Sequence, residues 1–217
     1  MRETVLNAIK AEKIIAILRR PDRETLIPAA QALYEGGVRL IEVTFDRSGA
    51  QTKEDTCEAI KALCTHFAGK MFVGAGTVLT EEEVRLAHEA GARFIISPDC
   101  DPKVIACTKA LGLVSIPAGF TPTEIALAVK SGADYIKLFP ANELSSGYLK
   151  TVKAPLSDAK LLAVGGVTPD NAAQFLSYGF DGLGVGGALY DTELIAKKDF
   201  ISLSEKVKKF VDIVKQS

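Results

Sequence analysis

The sequence predicts a (β/α)₈ barrel of one domain over residues 1–217, with one extra helix ahead of the first strand. Three observations carry that expectation. Eight short apolar runs rich in β-branched residues recur roughly 20 to 30 residues apart, enough each time for one strand, one helix and two short loops. The runs are apolar on both faces, as parallel strands covered by helices are. The first run ends Leu18-Arg19-Arg20-Pro21-Asp22 without a glycine, so the Gly-rich turn of an open nucleotide-binding sheet is missing where it would stand. A chain of 217 residues is near the short end for such a barrel and long enough to bury a sizeable core.

In chain order, Arg2–Glu12 reads as the extra helix, placed to cap the barrel floor. Ile14–Arg19 is the first strand, and Pro28 obscures where the helix after it begins. Leu40–Phe45 and Phe72–Thr77 are the second and third strands. Thr80-Glu81-Glu82-Glu83 then reads as a capping box, in which hydroxyl and carboxylate satisfy each other's orphan N–H groups. Phe94–Pro98 and Leu113–Gly119 follow as strands, and Thr121-Pro122-Thr123-Glu124 repeats the box with Pro at the first helical position. Tyr135–Pro140, Leu161–Val167 and Gly182–Gly187 complete the eight, with Thr168-Pro169-Asp170 opening a helix between the last two. Ser202–Lys215 supplies a final amphipathic helix. Gly36-Gly37, Gly91, Gly112, Gly132 and Gly179 stand where left-handed helix caps are needed.

Composition narrows the function classes. Hydrophobic residues make up 47% and charged residues 24%, which argues against disorder. Lys plus Arg number 26 against 27 Asp plus Glu, so no basic excess is available to neutralise a nucleic-acid backbone. No apolar run approaches the roughly 20 residues that span a bilayer. The opening Met1-Arg2-Glu3-Thr4 mixes charges without the apolar core of a signal peptide, so the expected location is the cytoplasm. Cys57, Cys64, Cys100 and Cys107 form no CxxC, and His66 and His88 lie in helical surroundings. Neither a disulfide scaffold nor a bound metal is expected; the thiols read as small buried hydrophobes.

Barrels of this class work at the C-terminal ends of their strands. Two charged residues interrupt the apolar strands: Glu42 in Leu40-Ile-Glu-Val-Thr-Phe45 and Lys137 in Tyr135-Ile-Lys-Leu-Phe-Pro140. They sit on the second and sixth strands, which feed the same interior layers, so a carboxylate and an amine meet inside the barrel. A buried ion pair adds little net stability, which weighs against a structural role. Burial also lowers the amine pKa and makes it nucleophilic, the setting for Schiff-base attack on a carbonyl with the carboxylate moving protons. Gly165-Gly166 after the seventh strand and Gly186-Gly187 after the eighth present backbone N–H groups where such barrels hold phosphate. Thr77 ends the small-residue run Gly74-Ala-Gly-Thr77, and Arg19, Arg20 and Arg47 are the cations near strand ends that suit a carboxylate clamp.

The motifs Ile41-Glu-Val-Thr44, Gly74-Ala-Gly-Thr-Val78, Ile95-Ile-Ser-Pro98, Lys137-Leu-Phe-Pro-Ala141 and Val164-Gly-Gly-Val-Thr-Pro-Asp-Asn171 resemble the KDPG/KHG aldolases, in order and over nearly the whole chain. The resemblance implies a class I aldolase that cleaves 2-keto-3-deoxy-6-phosphogluconate, or 4-hydroxy-2-oxoglutarate, to pyruvate and an aldehyde without a cofactor. It implies Lys137 as the Schiff-base residue and Glu42 as the proton shuttle. Thr77 would help bind the pyruvate carboxylate, Pro98 and Phe139 would wall the pocket, and Gly165, Gly166, Gly186 and Gly187 would hold phosphate. A homotrimer is implied as well. This chain departs from the pattern at Asp46, where many members carry Arg, which makes Arg19 the expected clamp in place of Arg47. It departs again at Gly187, where many carry Ser. Two alternatives stand beside this reading: the 6-phosphogalactonate epimer as substrate, which the Val164–Asn171 segment also resembles, and a phosphate-binding isomerase or epimerase barrel.

Overall fold

The computed structural model of the protein describes residues 1–145 and 147–217. Eight parallel strands, β1 Ile14–Arg19, β2 Leu40–Thr44, β3 Phe72–Gly76, β4 Phe94–Ile96, β5 Val114–Ile116, β6 Ile136–Leu138, β7 Leu161–Val164 and β8 Gly182–Val185, alternate with helices. The helices are α1 Arg2–Glu12, α2 Leu26–Glu35, α3 Lys53–His66, α4 Glu81–Glu89, α5 Pro102–Ala110, α6 Pro122–Lys130, α7 Tyr148–Lys153, α8 Pro169–Ser177, α9 Thr192–Ala196 and α10 Phe200–Lys215. They form one sheet in the order β5-β4-β3-β2-β1-β8-β7-β6. The ends of that order, β5 and β6, meet at a seam with no regular ladder. There the Asp134 N–H donates to Ser115 O (2.9 Å), Lys137 N–H to Pro117 O (2.8 Å) and Gly119 N–H to Lys137 O (3.0 Å). The sheet is therefore nearly closed into a barrel, with the backbone of Lys137 in the closure.

Most strands are shorter than their apolar runs. Residues such as Phe45 and Val167 stay buried past the ends of their strands, so apolar character outlasts the regular strand. The leading helix α1 (Arg2–Glu12) turns Val5 and Ile9 into the barrel. They join Ile15, Ile17, Leu40, Phe94, Ile96, Val114, Ile116, Tyr135, Leu162 and Val164 in an interior cluster that plugs the lower part. Arg2 ties this helix to Asp134, whose carboxylate also accepts from Lys109 Nζ (2.7 Å) and the Ser115 N–H (2.9 Å). A second, larger cluster lies between the sheet and the outer helices.

The helix boundaries settle two sequence questions. The helix α2 (Leu26–Glu35) begins after Thr25, so Pro28 lies in its first turn, where a missing N–H costs no helical bond. Before α4 (Glu81–Glu89) the expected capping box is only half formed. Thr80 accepts from the Glu83 N–H, but the Glu83 carboxylate bonds the Leu79 N–H instead of that of Thr80. The box before α6 (Pro122–Lys130) forms in full between Thr121 and Glu124. Gly37, Gly91, Gly112, Gly132 and Gly179 all have positive φ after their helices, as left-handed caps require, whereas Gly36 remains right-handed. The final helix, α10 (Phe200–Lys215), starts two residues earlier than its apolar pattern suggests. Among the described residues no helix is long and apolar enough to cross a membrane. The four cysteines are free and half-buried, packed as small hydrophobes against the outer core.

Candidate active site

Glu42 is the second inward position of β2, above Leu40, and is 2% exposed. Its carboxylate fits because β3 has no side chains opposite it. A Cβ on Gly76 would lie 2.7 Å from Cδ and Oε2 of Glu42, and one on Gly74 would lie 2.3 Å from the Phe94 ring. These two glycines serve close approach between side chains and strand within the barrel, where the sequence suggested room for a ligand. Gly74→Ala should lower stability by about 1–3 kcal/mol, the usual cost of overpacking. Gly76→Ala should displace the carboxylate and lower kcat. Denaturation midpoints and turnover measured on both variants separate the two roles.

Lys137, on β6, is 8% exposed and points to the same interior. Its Nζ stands 4.6 Å from the centroid of the Phe139 ring. Burial lowers its pKa from the ordinary lysine value; the Glu42 charge opposes that shift and Arg19 adds to it. Burial likewise raises the Glu42 carboxyl to about 7, against the attraction of Lys137 and then of Arg19. Oε2 of Glu42 is buried without a hydrogen-bond partner. The site thus holds a lysine biased toward the free amine and a carboxyl poised to gain or lose a proton near neutrality.

The remaining sequence candidates gather at the same rim, at different depths. Arg19 ends β1 beside Thr44 and is exposed, close enough for its charge to act on both Glu42 and Lys137. Phe139, 37% exposed, is the ring nearest the amine. Gly165 lets that ring pack down, since a Cβ there would meet Phe139 Cδ2 at 3.1 Å. Gly165 and Gly166 have φ of 96° and 68°, a double left-handed turn that residues with side chains avoid. Gly186 and Gly187 face open space, since a Cβ on either would have no other atom within 4 Å. The Gly186 carbonyl accepts from the Leu189 and Tyr190 N–H groups. Beside that turn lies a cavity of about 400 Å³ lined by Arg19, Arg20, Tyr190 and Lys198 among others. Pro98, half-buried two residues past β4, is placed at the rim by its strand alone. Among the described residues no group of three or more His, Cys, Asp or Glu side chains is gathered as a metal site.

Arg47 is already engaged through one of its nitrogens. Its Nη2 donates to Glu83 Oε2 (2.7 Å) and to the carbonyl of Thr77 (2.8 Å). Thr77 itself has φ 57°. Sequence reasoning singled out both residues but missed their connection, because Glu83 looks like an ordinary capping residue and is instead 1% exposed.

The family model for KDPG and KHG aldolase matches residues 5–206. The chain belongs to that family. It is therefore a carbon–carbon-cleaving lyase of the aldolase type. A 2-dehydro-3-deoxy-6-phosphogalactonate aldolase of Escherichia coli K12 is 33% identical over 178 residues, covering 82% of this chain and 84% of the relative. A 2-dehydro-3-deoxy-phosphogluconate aldolase of Treponema pallidum is 32% identical over 176 residues, covering 81% and 80%. Among solved structures, native KDPGal aligns with a TM-score of 0.83 at 30% identity over 94% of each chain. A KDPG aldolase from Legionella pneumophila, solved with pyruvate captured as a covalent carbinolamine, aligns with a TM-score of 0.82 at 25% identity, covering 94% of this chain and 96% of that one.

Proposed function

We propose that this aldolase works through a Schiff base on Lys137 and cleaves a 6-phosphorylated 2-keto-3-deoxy sugar acid, 2-keto-3-deoxy-6-phosphogluconate, to pyruvate and glyceraldehyde 3-phosphate. The observation that carries the reading is the buried amine facing a carboxyl with a pKa of about 7 and an unpartnered oxygen. Lys137 Nζ attacks the C2 carbonyl, and Glu42 protonates the departing hydroxyl, so that water leaves and an iminium forms. The ionised Glu42 then takes the C4 hydroxyl proton as the C3–C4 bond breaks. The bonding electrons pass to the iminium nitrogen and leave an enamine, while C4 departs as an aldehyde. Glu42 returns its proton to C3, and water hydrolyses the iminium to release pyruvate and free Lys137. A carboxyl that titrates near neutrality serves both as acid and as base in this cycle.

The binding residues are those that the family resemblance implies. Thr77 and the Arg19 guanidinium take the carboxylate, with Pro98 and Phe139 as walls. Backbone N–H groups of Gly165, Gly166, Gly186 and Gly187 face the phosphate, since the glycine turns end β7 and β8, where such barrels bind it. The 4-epimer, 2-keto-3-deoxy-6-phosphogalactonate, is the second reading. It is favoured by the relatives that carry that name and by the Val164–Asn171 segment. Cleavage of 4-hydroxy-2-oxoglutarate to pyruvate and glyoxylate is a further activity of the same chemistry, and a homotrimer is the proposed assembly.

Borohydride reduction in the presence of pyruvate, followed by peptide mass mapping, tests the mechanism. The expected result is one reduced pyruvyl adduct, on Lys137. No adduct on folded protein would overturn the Schiff base. Pyruvate release from the two epimers, each with and without phosphate, identifies the substrate: the gluconate epimer with phosphate should turn over fastest.

A further inference from the structure

Thr77 stands in the left-handed region at φ 57°, a conformation that β-branched residues rarely adopt and that persists only where the surroundings enforce it. The surroundings here are unusually complete. The Thr77 carbonyl accepts from Arg47 Nη2 at 2.8 Å, and the same nitrogen donates to Glu83 Oε2 at 2.7 Å. That oxygen also accepts the Leu79 N–H at 2.8 Å, two residues past Thr77. On the intervening residue, the Val78 N–H donates to Ile96 O at 3.2 Å. Glu83 is 1% exposed, so its charge is compensated by Arg47 and, at 3.9 Å, by Lys53. The segment carrying Arg47 is itself pinned. The Asp46 carboxylate accepts from the Ser48 hydroxyl (2.8 Å) and from the Ala50 and Gln51 N–H groups (2.7 and 3.1 Å). Among the described residues, no protein group takes up the Thr77 hydroxyl.

We infer that Arg47 and Glu83 are positioning residues for the substrate carboxylate: they hold the β3–α4 turn so that the Thr77 hydroxyl faces the keto acid beside Glu42. The inference rests on the proposed function, in which Thr77 binds that carboxylate. It also gives a physical reason for the departure at Asp46. In this chain Asp46 organises the loop, and the neighbouring arginine reaches the ligand through the backbone of Thr77. A buried carboxylate is an expensive way to hold a turn, and one bonded at once to the turn's N–H and to the cation on its carbonyl fixes both sides of the strained residue.

The test measures the pyruvate concentration that half-saturates borohydride trapping, and kcat and KM for cleavage of the preferred epimer, in Arg47→Ala, Arg47→Lys and Glu83→Gln. Arg47→Ala should raise half-saturation and KM by about 10-fold, the scale of a lost hydrogen bond to a charged group, while kcat stays within about threefold. Arg47→Lys, which keeps a donor, should recover part of that loss. In a Thr77→Gly background, where the hydroxyl is absent and the backbone unstrained, Arg47→Ala should change KM no further. A purely structural network would lower melting temperature with KM unchanged, and that result overturns the inference. If Arg47→Ala does not fold, Arg47→Lys and Glu83→Gln decide by the same criterion. Wild-type protein that forms no adduct overturns the Schiff-base reading and this inference together. An adduct in the wild type with unaltered half-saturation in all three variants overturns the inference alone.

Discussion

Lys137→Met should abolish cleavage, with kcat falling by about 10⁴-fold or more, the scale on which loss of a covalent nucleophile is felt. The expectation follows from how little else at the site can attack a carbonyl. Lys137 is the one amine inside the barrel among the described residues, 8% exposed, and burial holds its pKa below that of a free lysine. Arg19 is exposed, and its delocalised guanidinium is no nucleophile. Lys137→Arg should therefore be as inactive as the methionine variant, although it preserves the charge. The fold should survive, since methionine fills a similar volume and removes a charge that is costly to bury. Pyruvate release coupled to a reporter, with circular dichroism as the folding check, measures both parts. A folded variant retaining more than about one-hundredth of wild-type kcat would exclude covalent catalysis by Lys137.

The strands were legible because each is an apolar run bounded by turn chemistry, and the Glu42–Lys137 pairing followed from period-two alternation on two even-numbered strands. What the sequence concealed depends on contacts distant in the chain. The run Gly74-Ala-Gly-Thr77 contains three small residues with three different reasons, and only the packed barrel separates them. Gly74 makes room for Phe94, Ala75 is buried toward the outer helices, and Gly76 makes room for the Glu42 carboxylate. The cap Thr80-Glu81-Glu82-Glu83 misled for a similar reason. Local chemistry fits a capping box, but Arg47, 36 residues earlier, draws the carboxylate one residue further back along the chain. Pro28 looked like an interruption because helix starts are weakly marked when the N-cap side chain accepts no bond from the first turn, as at Thr25. The strained φ of Thr77 has no sequence signature at all, since threonine is a residue one would not choose for it.

Glu42→Gln should have effects of opposite sign on activity and stability. Removing the proposed proton shuttle should lower kcat by about 10²- to 10⁴-fold, the ordinary contribution of a positioned acid–base group. It should also abolish any inflection near pH 7 in the pH profile of kcat that this carboxyl causes. Stability should move the other way. In the unfolded chain the carboxyl titrates near 4.5, and burial in the barrel raises it to about 7. The folded state then binds the proton more tightly, so ionisation favours unfolding. Below about pH 4.5 both states are protonated and the cost is absent; it grows as pH rises through the window and is complete above about 7. The shift corresponds to about 3 kcal/mol at most. The amide has no proton to lose, so Glu42→Gln should match the wild type in denaturant near pH 4.5 and exceed it by up to that amount at pH 8. Lys137 contributes with the opposite slope, because its lowered pKa makes stability rise with pH toward the ordinary lysine value. It is present in both proteins, so the difference between them isolates the carboxyl to first order. Equal stabilities at both pH values would mean that the carboxyl is ionised without penalty in the fold. The proton shuttle would then need another group, since a carboxylate with an ordinary pKa is a poor acid at neutral pH.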